Sequence, residues 1–350
     1  MGKEVTGSCS HPVEVFASGV GMADTATDEE KTTMEIGYKL SSEEHPPADL
    51  VANAARAEAT GFTFALISDH YHPWVDRQGQ SPFVWGVLGA LSQATEHLTI
   101  GTGVTCPTIR IHPAIIAQAA ATAASLLPGR FFLGVGTGEN LNEHVLGDHW
   151  PPAPVRIEML AEALEVIRML WDGEQHSHRG TYYTVENARL YSLPESPPPI
   201  MIAADGPKAI TLAGKMGDGY IGLAPDADLL AKFDDAGGTG KPRYAEAQVC
   251  WHQDANEAKK IAYEVWPNAA TPGQLNQELP LPAHFEQAAQ LAGPEDMDST
   301  VACGPDPEVH LDQIKKYADA GYDHVCVHQI GPDQAGFFEF YAREILPNLP

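Results

Sequence analysis

From Met34 onward, apolar runs of strand length alternate with longer stretches of helical period, and the alternation repeats eight times. "MEIGYKL" (34–40), "FTFALISD" (62–69), "LTIGTGVTC" (98–106) and "FFLGVGTG" (131–138) come first. "PIMIAA" (199–204), "GYIGLA" (219–224), "AEAQVCW" (245–251) and "HVCVHQI" (324–330) complete the set. Between them lie stretches such as "PADLVANAARAEATG" (47–61), "PAIIAQAAATAASLL" (113–127) and "VRIEMLAEALEVIRMLW" (155–171). In the last of these, Ile157, Leu160, Leu164, Ile167 and Leu170 share one helical face. Eight strand–helix units predict an α/β chain closed into a (β/α)8 TIM barrel. The rival is an open doubly wound sheet, which would more often carry Gly-x-Gly-x-x-Gly after its first strand; here Gly134, Gly136 and Gly138 follow the fourth. Two segments are longer than simple loops: 172–198, with the strand-like "TYYTV", and the Pro-rich 252–323. Both are expected as insertions over the barrel mouth.

The organised pattern sets one domain over 34–350. Residues 1–33 lack a basic start followed by an apolar core, so they read as a polar, flexible leader and not as a signal peptide. No apolar run reaches the roughly 18–20 residues that cross a bilayer. Net charge is −26, with 47 Asp and Glu against 21 Lys and Arg. That balance argues against nucleic acid or anionic membrane as partners, and it suits a high-salt host. Cys9, Cys106, Cys250, Cys303 and Cys326 are scattered without a Cys-x-x-Cys spacing, as expected of inert thiols in a reducing cytoplasm.

In a barrel of this type, chemistry gathers where the strands end at their carboxyl termini. The second strand ends in "SDHYHPW" (68–74), with Asp69, His70, His72 and Trp74. A metal site is one reading of the His-x-His pair, but no acidic residue stands at the end of the eighth strand and the full ligand constellation is missing. A proton-transfer site over a bound ring is the other reading. After the glycines of the fourth strand, Glu139 and Asn142 either line a pocket or cap a short helix. "AADGPKA" (203–209) places Ala203, Ala204, Asp205 and Gly206 before a helix starting near Pro207, where free amides and Lys208 suit a phosphate as well as a plain turn. Gly101 and Gly103 flank Thr102 and permit a bulge or strained peptide beneath a ligand. In "VCVHQI", Cys326 and His328 alternate onto one face that reads as core.

The order "YKLSSEE", "SDHYHPW", "GTGVTCPT-R-HPAIIAQ", "PGRFFLGVGTGENLNEH" and "PPPIMIAADGP" resembles the luciferase-like (β/α)8 superfamily, and within it the branch that uses coenzyme F420. The resemblance spans about residues 34 to 350 and thins in 225–300. It implies that His70 is the catalytic base for an alcohol proton and that Glu139 is the acid near the deazaflavin ring. It also implies that Trp74 leans on ring and substrate, that Glu43 is a second acid in the substrate pocket, and that Asp69 contacts the ring system. The Gly103–Val104 peptide would be a non-proline cis bond under the ring. Asn142 and the Ala203–Gly206 turn would hold the cofactor's ribityl-phosphate tail. A homodimer is implied in the same way.

Two departures from the family pattern shape the expected substrate. Glucose-6-phosphate enzymes of the branch carry a Lys shortly after the sixth strand, where "GLAPDADLL" offers Asp226, and "EDMDSTVACGPDPE" carries no Lys or Arg for a later phosphate contact. Asp205 also stands where the tail-binding turn usually has its second Gly. The expectation is an F420-dependent dehydrogenase acting on an alcohol or sugar hydroxyl other than glucose 6-phosphate. An FMN-dependent monooxygenase and a non-catalytic ligand-binding barrel are the alternatives, and His70 with Glu139 argues against both.

Overall fold

The computed structural model describes residues 1–2, 34–270 and 274–349. The leader expected over 1–33 falls on residues 3–33 and lies outside the described residues. Among the described residues eleven strands run in chain order: β1 (Glu35–Leu40), β2 (Phe64–Ile67), β3 (Thr99–Thr102), β4 (Phe131–Val135), β5 (His176–Arg179), β6 (Thr184–Ala188), β7 (Ile200–Ala203), β8 (Gly219–Gly222), β9 (Arg243–Cys250), β10 (Val301–Cys303) and β11 (His324–Gln329). Eight of them, β1-β2-β3-β4-β7-β8-β9-β11, pair in parallel and close back on β1, which makes the (β/α)8 barrel. The helices are α1 (Pro47–Thr60), α2 (Val84–Ala94), α3 (Pro113–Leu126), α4 (Asn140–Glu143), α5 (Ala153–Leu170), α6 (Pro207–Met216), α7 (Ala227–Phe233), α8 (Ala255–Val265), α9 (Leu275–Glu278), α10 (Pro282–Ala289), α11 (Pro307–Ala320) and α12 (Gln334–Phe340).

Strand alternation sends every second side chain into the barrel. Phe64, Leu66, Phe132, Met201, Ile221, Tyr244 and Cys326 fill its interior as a separate apolar cluster. Two glycines make that filling possible. A Cβ at Gly37 would lie 2.4 Å from the Phe64 ring, and one at Gly101 would lie 2.1 Å from the Phe132 ring. The much larger outer core lies between the strands and the helices.

The structure departs from the periodicity in three places. On α5, Leu160, Leu164, Ile167 and Leu170 are buried as expected, but Ile157 is only half-buried. Arg156 is buried in its stead, donating to the Pro151 carbonyl at 2.7 Å and to Glu278 at 3.2 Å, with its guanidinium over the Trp150 ring. A charged side chain with three such partners fills a core position that hydropathy assigns to its neighbour. Second, β10 is an unexpected strand of only three residues that extends the sheet beside β9. Third, of the two insertions, only 252–323 covers the mouth: Leu279 and Phe285 pack with Trp74 and Val75, and Gln78 donates to the Val265 carbonyl. Segment 172–198 forms the β5–β6 hairpin and seats on the barrel's flank. Its turn amides at Thr181, Tyr182 and Tyr183 donate to Glu162 of α5, and the Tyr183 hydroxyl reaches the Thr108 carbonyl after β3.

Candidate active site

The site is built where β1, β2, β3, β4 and β7 end. After β1 the chain turns through Ser41–Glu44 and is pinned to the end of β2. The Ser42 amide donates to Ser68 Oγ at 3.0 Å, and Ser42 Oγ donates to the Ser68 carbonyl at 2.8 Å. This brings Glu43 beneath His70. Glu43 Oε2 accepts from Ser68 Oγ at 2.6 Å and from Ser41 Oγ at 3.2 Å, while Oε1 stands 3.5 Å from His70 Nε2. Burial pushes the Glu43 carboxyl up, but the charges of His70 and Lys39 and the Ser68 bond outweigh it and hold it below the ordinary carboxylate range.

His70 Nδ1 lies 3.2 Å from the His72 carbonyl. A carbonyl can only accept, so Nδ1 carries the hydrogen there. Nε2 is then free to accept a proton, and the Glu43 carboxylate beside it is placed to stabilise an imidazolium. The His70 and Trp74 rings are 5.0 Å apart, and Trp74 meets Phe285 of the insertion edge-on at 5.2 Å. The His72 ring stays out of this cluster, because its Nδ1 is bound to the Leu141 carbonyl at 2.9 Å.

Asp69 is buried, and each of its oxygens already has a protein partner: Thr105 Oγ1 at 2.8 Å and Arg110 at 2.9 Å. Arg110 also donates through its amide to Glu143 at 2.8 Å. Burial, only partly offset by Arg110, lifts the Glu143 carboxyl to about 7. The Gly103–Val104 peptide is cis. Its carbonyl accepts from Lys39 Nζ at 2.9 Å. Asn142 ties two loops together, since Oδ1 accepts from the Tyr71 and His72 amides at 2.8 and 3.1 Å, and Nδ2 donates to Glu139 Oε2 at 3.3 Å. Ala203, Ala204, Asp205 and Gly206 form the turn into α6. Asp205 is exposed, yet the walls around it and then the charge of Glu139 hold its carboxyl above the ordinary range.

Sequence reasoning missed a charged layer beneath these residues. Lys39 Nζ donates to Glu246 Oε2 at 2.7 Å. Glu246 Oε1 stands 3.7 Å from His328 Nδ1, and His328 Nε2 bonds Glu44 at 2.7 Å. The available signal was the placement of Lys39, Glu246 and His328 at inward positions of otherwise apolar strands.

The site can be tested for fit to a deazaflavin, which needs an apolar bed for a flat ring, polar groups at its rim and room for backbone approach. Val104 and Ala203 lie half-exposed on top of the interior cluster. A Cβ at Gly136 would come within 2.9 Å of Val104 Cγ2, so only glycine leaves that bed clear. His70, Glu43 and Trp74 stand after β2 and β1, with Glu139 after β4, around it. The donor set fits.

In this (β/α)8 barrel a histidine after β2 meets a carboxylate after β1 at the mouth, an arrangement suited to proton transfer beside a flat bound ring. Residues 30–324 match the family model for luciferase-like monooxygenases, and the chain belongs to that family. It is 39% identical over 328 residues to an F420-dependent glucose-6-phosphate dehydrogenase of Microbacterium testaceum, covering 90% of this chain and 97% of that protein. It is 38% identical over 327 residues to an F420-dependent hydroxymycolic acid dehydrogenase of Mycobacterium tuberculosis, covering 91% and 89%. Among solved structures, an F420-dependent secondary alcohol dehydrogenase in complex with an F420-acetone adduct superposes with a TM-score of 0.85 at 31% identity, covering 91% of this chain and 99% of that one.

Proposed function

We propose that this chain is an F420-dependent oxidoreductase acting on the CH–OH group of a small uncharged alcohol or sugar. The observation that carries the reading is His70 Nε2 at 3.5 Å from Glu43, with the Trp74 ring alongside. When bound, F420 supplies a two-electron hydride acceptor. His70 Nε2 would take the hydroxyl proton as the alcohol carbon is oxidised to a carbonyl. Glu43 stabilises the imidazolium, Trp74 shapes the substrate pocket, and Glu139 handles the proton on the cofactor's side. Gly103, Val104 and Asp69 support the ring, while Asn142 and the turn Ala203–Gly206 meet the tail.

The placement of cations supports an uncharged substrate. Near the strands' carboxyl ends, Lys39, Arg77, Arg110, Lys259 and Lys260 are each bound to carboxylates. Asp226 caps α7 through the Leu229 amide, where a phosphate-binding enzyme of this branch would place Lys. Lys208 stands beside the tail-binding turn, which leaves no second free cation near those strand ends, among the described residues, for a substrate phosphate.

The homodimer and the cytoplasmic location belong to the same proposal. A groove between α2 and α3 is lined by Phe83, Ile115 and Leu126, all exposed, and an apolar face of that kind suits a second copy. Among the described residues Cys106, Cys250, Cys303 and Cys326 are free thiols, which suits a reducing compartment, and no helix there is long and apolar enough to cross a membrane.

The test is titration of purified protein with F420 and with FMN, followed by secondary alcohols, glucose and glucose 6-phosphate as reductants. F420 binding, and its reduction by neutral alcohols but not by the phosphate ester, is the expected result. Tight binding of FMN alone would overturn the cofactor assignment, and turnover of glucose 6-phosphate would overturn the uncharged substrate.

A further inference from the structure

The buried layer under the site has one ammonium among three carboxylates, and the proposed reaction does not by itself account for it. Lys39 occupies the last inward position of β1, directly beneath the turn that carries Glu43. Its side chain is 6% exposed, and its ammonium makes two bonds, to the Gly103 carbonyl and to Glu246. One bond holds the end of β3, the floor under Val104. The other anchors the ammonium against β9. We propose that Lys39 is a positioning residue: a fixed buried cation that keeps Glu43 ionised beside His70 and at the same time sets the height of the Gly103 peptide. The inference rests on the proposed proton transfer through His70.

The groups facing this pair come from every neighbouring strand: His70 after β2, Gly103 at β3, Glu246 on β9, and Cys326 and His328 on β11, with Glu44 and His45 from the same turn. Burial works to lower the Lys39 ammonium, but Glu246, Glu43 and Cys326 outweigh it and hold it above the ordinary lysine range. Lys39 therefore stays charged wherever the enzyme can work. A neutral hydrogen-bond donor at the same place would keep the floor but not the ionisation of Glu43. Glu43 would then take up a proton at higher pH and cease to stabilise the imidazolium.

Lys39→Gln makes that separation, because it retains a donor and removes the charge. The acid limb of the kcat profile for F420 reduction should move up by about one pH unit in Lys39→Gln. The same shift should vanish when Glu43→Gln is already present. In cofactor-free protein, the Glu43 carboxyl band, identified by infrared difference against Glu43→Gln, should titrate upward by the same amount. Lys39→Arg should leave the acid limb in place while weakening F420 binding, because a guanidinium cannot reproduce the compact ammonium under Gly103. If Lys39→Gln does not fold, Glu246→Gln reads the same coupling with Lys39 intact, and the acid limb must then move down. An unmoved limb and band, or an equal shift in the Glu43→Gln background, overturns the inference. No F420 turnover by the unaltered protein would overturn the proposed function instead.

Discussion

The contact between Glu43 and His70 gives a prediction whose size follows from the geometry. Glu43→Gln keeps the shape of the side chain and an oxygen for the Ser68 hydroxyl to donate to, but it removes the charge next to Nε2. At the 3.5 Å separation, Coulomb's law with an effective dielectric of about 20 gives about 5 kcal/mol between a carboxylate and an imidazolium. A base that takes the hydroxyl proton starts neutral and becomes an imidazolium as the proton moves, so in that reaction this energy acts on the transition state and not on the bound alcohol. The amide dipole of Gln restores part of it. With about half lost, kcat falls roughly 10²-fold, within the range of a single acid–base contribution. The assay is the initial rate of F420 reduction by a neutral secondary alcohol, with F420 affinity measured separately by fluorescence. Affinity should stay within about threefold, because Glu43 is assigned to the proton and not to the ring. A variant with kcat within about threefold of the unaltered protein would refute the role given to Glu43. Parallel losses of rate and affinity would reduce that role to support of the fold.

His70→Ala should abolish F420 reduction while F420 still binds, measured by the same fluorescence titration; loss of both would make His70 structural. Arg110→Met should destabilise the fold by about 3–5 kcal/mol in denaturant titrations, because it strands two buried carboxylates, Asp69 and Glu143. That deficit should depend on pH with a definite sign. Burial already lifts Glu143 to about 7, and loss of the guanidinium lifts it further. A carboxyl raised in the folded state contributes stability that is present below its unfolded pKa and is lost as pH rises through the folded value, so the deficit should shrink toward pH ~5 and be largest above pH ~7. Ile115→Asp, which places a charge on the exposed groove between α2 and α3, should convert a dimer to monomers in sedimentation; an unchanged mass would move the interface elsewhere.

The barrel was legible because its signal is local. The barrel strands are short apolar runs, and several are set off by a helix that opens with proline, as at Pro47, Pro113 and Pro207. The same locality put His70 and Glu139 just past the carboxyl ends of β2 and β4, the side on which a barrel gathers its chemistry. What escaped depends on partners far apart in the chain. Lys39 and Glu246 are 207 residues apart, and His328 and Glu44 are 284 apart, so neither member of a pair predicts the other. Arg156 displaced Ile157 from the buried face for a similar reason, since its acceptor on Glu278 comes from the insertion.

The barrel's geometry connects the visible and the hidden parts of the site. Inward positions along the strands form layers. The lower layer holds the packed rings of Phe64, Phe132 and Tyr244. The next layer up holds Lys39, Glu246 and His328, close enough to the mouth for the turns above to supply carboxylates and carbonyls. A base facing a ring needs a charged neighbour, and a charged neighbour inside a barrel needs a counter-charge below it. The proton transfer proposed at His70 would therefore account for a buried lysine in a strand that hydropathy alone reads as core.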